Sequence, residues 1–86
     1  MSKLILKRNY TTNSQKLKLM LTWLGRDYVE TIIYEDIVDF DFAEEYNLPV
    51  KDPKEAETYI HEHFFSIVRK NMELVWEAVW EDLSYA

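Results

Sequence analysis

KLKLMLTWLGRDYVETIIY, residues 16–34, decides the fold, because its first half obeys two periodicities at once. Leu17, Leu19, Leu21 and Trp23 alternate as a strand would, while Leu17, Met20, Leu21 and Leu24 fit a helical stripe. The second half favours strand. Gly25-Arg26 suits a two-residue hairpin turn with glycine in the first central position, and Tyr28 to Tyr34 is rich in β-branched and aromatic residues. Folded about that turn, Trp23 pairs with Tyr28, Leu19 with Ile32 and Leu17 with Tyr34 on one face. On the other face Lys18 meets Ile33 and Lys16 meets Glu35. A helix over residues 13–24 is the competing reading.

Outward from this segment, Leu4, Ile5 and Leu6 between basic residues read as a first strand, residues 3–10, and Thr11 to Gln15 as a polar turn. Val38, Phe40 and Phe42 alternate with Asp39 and Asp41, suggesting an extended continuation or a bent fourth strand. One helical turn is expected from Ala43 to Asn47. The clearest boundary comes next: Asp52 as N-cap, Pro53 at the first helical position and Glu55 placed as a capping-box acid. From there Ile60, Phe64, Ile67, Met72, Val75, Val79 and Leu83 recur at helical spacing, with a kink expected near Lys70-Asn71. Phe65, Trp76 and Trp80 widen this apolar arc beyond half the circumference, more than a helix lying on one small sheet needs. The expected fold is therefore α+β. An antiparallel three- or four-stranded sheet packs against a long C-terminal helix, in one domain over residues 1–86. Its β-rich half is residues 1–48, its connector 49–52 and its helix 53–84.

Charge is divided as sharply as pattern. Lys3, Lys7, Arg8, Lys16, Lys18 and Arg26 fall in a leading segment with no acid, and all sixteen acidic residues come after it. The net charge of −6 disfavours a general affinity for nucleic acid or an anionic membrane. An apolar fraction of 48% with 15% aromatics marks an ordered domain rather than an acidic disordered tail. No run approaches the ~18 apolar residues of a membrane span, and Leu4 to Leu6 is too short for a signal-peptide core. With no cysteine, a soluble cytoplasmic protein is expected.

Chemistry-bearing patterns are sparse. His61 and His63 are two apart, roughly 200° around a helix, so they cannot share an ion, and no metal site or cofactor is expected. Glu57 and His61 have i, i+4 spacing, but two ligands do not make a site. Ser66 sits in an apolar run, no glycine-rich elbow surrounds any serine, and one glycine in the chain leaves no phosphate-cradling loop. Catalysis is not expected.

What remains is surface. Asp36, Asp39, Asp41, Glu44 and Glu45 form the densest acidic cluster, and Glu73, Glu77 and Glu81 make an acidic ridge beside Trp76 and Trp80. Trp and Met are favoured at protein interfaces. In size and charge balance only, the chain resembles phage anti-CRISPR and anti-restriction proteins and the immunity partners of nuclease toxins. That resemblance implies an inhibitor docking on the basic, nucleic-acid-facing surface of a nuclease or nucleoprotein complex, its carboxylates standing in for phosphates. These ten residues are the expected partner-binding set. A self-associating module, such as a homodimer through the surplus helical face, is the alternative. A third reading uses Lys7, Arg8, Lys16 and Lys18 with Tyr10 and Trp23 as a nucleic-acid-binding hairpin.

Overall fold

The structure, a computed structural model, describes residues 12–40 and 46–85. Its regular elements among the described residues are all helices: α1 (Asn13–Trp23), α2 (Arg26–Phe40), α3 (Pro53–Glu62), α4 (Phe64–Lys70) and α5 (Met72–Tyr85). No strand occurs among the described residues, so the α+β expectation is wrong. The proposed first strand, residues 3–10, lies outside them.

Two local features explain why residues 16–34 take the helical reading. Thr12 accepts a hydrogen bond from the Gln15 backbone N–H (3.1 Å), and the Gln15 side chain accepts one from the Thr12 N–H (3.1 Å). This reciprocal capping box starts α1 where a polar turn was expected. On α2, Val29, Ile32, Ile33 and Ile37 are all buried. Their i, i+3, i+4, i+8 spacing makes one helical stripe, whereas a strand would aim Ile32 and Ile33 at opposite faces. Burial on that stripe outweighs the β propensity of the individual residues. Val38 likewise belongs to α2 and not to a fourth strand.

Gly25 does adopt the positive φ that its turn position suggested, at 89°. The conformation serves a helix–helix corner instead of a hairpin. Its N–H donates to Met20 O (3.1 Å), closing α1, and its carbonyl accepts from Val29 N–H (3.3 Å), opening α2.

The third region obeys its caps closely. Asp52 accepts a hydrogen bond from the Glu55 N–H (3.0 Å) with Pro53 in the first turn, and Glu55 reaches back to the Lys51 N–H at 3.5 Å. One long helix does not result, because single non-helical residues interrupt it at His63 (φ −115°, ψ 25°) and Asn71 (φ −123°, ψ 35°). The wide apolar arc supplies the reason. On an uninterrupted helix Ala56 and Met72 would point roughly 160° apart. The two bends re-aim each segment, so Ala56 and Ile60, then Phe64, Ile67 and Val68, then Met72, Val75 and Val79 are all buried.

The central helix is α2, in contact with α1, α3 and α5. Tyr28 bonds to Asp82, while Asp36 and Asn71 both bond to Tyr46, so α2 and α5 run antiparallel. Arg26 and Glu30 meet His61 at the far end of α3, making that pair antiparallel too. No polar or charged residue is buried among the described residues. The core is otherwise aliphatic and aromatic, and its one phenol, that of Tyr46, reaches Asp36 with its hydroxyl.

Candidate functional site

Two acidic surfaces emerge from this packing, one on α5 and one between α2 and α3. On α5, Glu73, Glu77 and Glu81 are exposed at four-residue spacing, about 6 Å apart along the axis. Val75 and Val79 on the inner side are fully buried and fix the helix's rotation. Trp76 and Trp80 lie between these faces, half-buried against the core. The Lys16 ammonium of α1 stands 5.5 Å from the Trp76 ring centroid. The rings are thus less prominent than the surplus arc suggested, since the bends at His63 and Asn71 bring much of that arc inward.

The expected acidic cluster is only partly gathered here. Asp36 is half-buried on α2 and accepts a hydrogen bond from the buried Tyr46 hydroxyl (2.9 Å). Asp39 falls in the last turn of α2, and Asp41, Glu44 and Glu45 lie outside the described residues. The structure therefore unites Glu73, Trp76, Glu77, Trp80 and Glu81 on one helix.

The second surface was not anticipated. A groove of about 270 Å³ between α2 and α3 is lined by Asp27, Glu30, Thr31, Tyr34, Glu57 and Ile60. Asp27, Glu30, Thr31 and Tyr34 recur at i, i+3, i+4 and i+7, a polar stripe legible in the sequence only once the segment is read as helix. At its end Glu30 ties the two helices together. Arg26 Nε donates to Glu30 Oε2 at 2.5 Å, and His61 Nδ1–H donates to Glu30 Oε1 at 3.0 Å. Arg26 also donates to the His61 carbonyl, with its guanidinium 4.9 Å from the Phe64 ring centroid. Burial favours the neutral acid and is the largest influence on Glu30. The hydrogen bonds and charges of Arg26 and His61 together outweigh it, so the carboxyl titrates below its ordinary value.

Between described residues, ion pairs form only at Glu30. Lysine and arginine therefore do not offset Glu73, Glu77, Glu81, Asp27 or Glu57 there. The Lys16–Glu35 pairing expected of a hairpin is absent with the hairpin itself. The nucleic-acid-binding reading loses its scaffold for the same reason: Lys16 is at Trp76, Lys18 and Trp23 are on α1, and Lys7, Arg8 and Tyr10 lie outside the described residues. His61 engages Glu30 and His63 stacks on Tyr59 with ring centroids 4.3 Å apart. No helix among the described residues is long and apolar enough to cross a membrane. Comparison with protein-family models, with curated proteins and with solved structures finds no match for this chain.

Proposed function

We propose that this chain is a small acidic inhibitor that binds a protein. It docks α5 on a basic, nucleic-acid-binding surface of its target and excludes the nucleic acid by charge mimicry. The observation that carries the reading is the exposed row Glu73, Glu77 and Glu81, unmatched by lysine or arginine among the described residues and flanked by Trp76 and Trp80. Like charges one turn apart destabilise a helix slightly, and a cationic partner surface turns that repulsion into attraction. Half-buried indole rings beside the row supply apolar area that docking would desolvate. Asp36 contributes less than its place in the acidic cluster suggested, because it holds Tyr46.

The test is displacement of a labelled DNA duplex from a panel of purified CRISPR effector complexes, restriction enzymes and nuclease toxins. At least one should release DNA when the chain is added, and the E73K/E77K/E81K variant should fail to cause release. No displacement across the panel, or displacement indifferent to that reversal, would overturn the proposal.

Self-association is a second reading, favoured by Trp23 at 51% and Phe65 at 40% exposure. Light scattering at high protein concentration should then give twice the monomer mass; a persistent monomer refutes it.

A further inference from the structure

On α4, Phe65 is exposed while its neighbours Phe64, Ile67 and Val68 are buried. The ring is nonetheless held in place. It packs edge-on against Phe64 with centroids 5.2 Å apart, and the guanidinium groups of Arg26 and Arg69 stand 5.5 and 5.8 Å from its centroid. The exposed Trp23 belongs to the same end of the bundle. Lys16 lies at Trp76 and Arg26 at Phe65, so α1 runs antiparallel to α4 and α5, and its last residue falls at the level of Phe65 and Arg69. Tryptophan and arginine are the residue types that carry most energy at protein interfaces. We infer that this face of α4 is where two copies of the chain pair about a two-fold axis. The assignment rests on the self-association reading above and gives it a surface and its contacts.

The occupant follows from the charges. Glu62, Phe65, Ser66 and Arg69 are exposed at i, i+3, i+4 and i+7, a stripe that runs acid, ring, small residue, base. Neither Glu62 nor Arg69 has an ion-pair partner among the described residues. A nucleic acid would meet Glu62 as well as Arg69, and a uniformly basic surface would meet Arg69 as well as Glu62. The fitting partner presents a base opposite Glu62, an acid opposite Arg69 and apolar area between them. The stripe itself, reversed, is such a partner.

A two-fold axis passing between Phe65 and Ser66 sets the two α4 helices antiparallel, and every contact then occurs twice. Each Phe65 ring faces the small Ser66 of the other copy, and each Glu62 faces the other copy's Arg69. Glu62 and Arg69 are about 10 Å apart along the chain's axis, so both ion pairs close in one register and a slip of one turn breaks both. Arg69 keeps the Phe65 ring and gains a carboxylate, a combination that the planar guanidinium allows and an ammonium does not. Arg26 needs no acid from the other copy, because Glu30 and the His61 carbonyl already accept from it. Its part is to hold the ring.

Sedimentation velocity of the full chain across a concentration series tests the assignment. The variants are E62R and R69E, each changing one exposed residue, with helix content checked by circular dichroism. The unaltered chain should dimerise. Either variant alone sets like charges opposite each other at both pairs and should dimerise roughly tenfold more weakly. An equimolar mixture of the two puts an acid opposite a base at both pairs again, so it should form a heterodimer within about threefold of the original affinity. A dimer that survives either single reversal, or a mixture no better than its components, overturns this interface and leaves self-association through another face. A chain that stays monomeric overturns both. DNA displacement through α5 is read in its own assay, so its failure is registered separately.

Discussion

The hydroxyl of Tyr28, in the first turn of α2, donates a hydrogen bond to the carboxylate of Asp82, near the end of α5, across 54 residues of sequence. Burial, that hydrogen bond, the Asp82 charge and the Glu35 charge all favour the protonated phenol, and its pKa is pushed up to about 12. A raised folded-state pKa contributes stability that is full below the unfolded value of 10.0 and is lost as pH rises through about 12. Phenolate absorbance should therefore contain a late-titrating component that Tyr28→Phe removes. Chemical denaturation should show stability declining over that same interval, and Tyr28→Phe should remove this part of the decline. The variant should also lose about 1 kcal/mol at neutral pH, the usual net value of one such bond.

At the opposite end of the pH scale the relevant group is Glu30. Its folded pKa is depressed below 4.5, so its contribution is present above that value and is lost as pH falls through the lower folded one. Glu30→Gln should cost roughly 1–3 kcal/mol at neutral pH, because Arg26 and His61 then lose the negative charge and one of the two acceptor oxygens they share, on a side chain only 15% exposed. Asp27→Asn, three residues earlier and exposed, should change stability by less than about 0.5 kcal/mol. Urea titrations at neutral and acid pH distinguish the two: the Glu30 difference shrinks on acidification, and a difference that persists there would refute the bridge.

At Gly25 the expected damage is purely conformational. A Cβ added there meets nothing within 4 Å, so no clash arises, but φ of 89° is unfavourable for L-residues. Gly25→Ala should cost about 1–2 kcal/mol. Gly25→Asn should cost less, since asparagine tolerates the left-handed region, as Asn47 does here at φ 57°. Thermal denaturation of the pair should rank them in that order; a strand hairpin of type II′ at this glycine would instead leave β-sheet circular dichroism.

Tyr46 anchors the segment leading to α3 from both ends of its residue. Its hydroxyl bonds to Asp36, and its carbonyl accepts from Asn71 Nδ2 (3.1 Å), which also donates to Ile67 O (3.0 Å). Asn71→Ala removes both donations and should lower stability by about 1–2 kcal/mol, measurable as a shift in denaturation midpoint. Tyr46→Ala empties a site only 2% exposed and should cost about 3–5 kcal/mol, enough to threaten folding of so small a domain.

Charge reversal on α5 should not act through unfolding. Glu77→Lys places a cation four residues after Glu73, the favoured order for a helical ion pair, and relieves a like-charge contact. Its stability should rise by about 0.5 kcal/mol while partner binding falls. A loss of both together, measured by denaturation and displacement assays, would locate the defect in the fold.

Several features were legible in the sequence because they depend on a few neighbouring residues. Asp52, Pro53 and Glu55 announce a helix start through backbone donors within one turn, and Gly25 marks a position needing positive φ. The apolar spacing from Ile60 to Val79 identifies the positions that become buried, and the exposed row Glu73, Glu77 and Glu81 is its complement. Thr12 and Gln15 carried an equally local signal against the hairpin, a capping box that the alternation of Leu17, Leu19 and Leu21 obscured.

Tertiary structure alone decided the rest, because it depends on which surface a residue finds opposite it. Val29, Ile32, Ile33 and Ile37 become helix since α2 is covered on several sides, by α1, α3 and α5, where burying one apolar stripe outweighs β propensity. The same coverage bends the chain at His63 and Asn71, turning a surplus of apolar residues into core. It also places Glu57 in the lining of the same groove as Asp27 and Glu30, a neighbourhood that no spacing along the chain encodes.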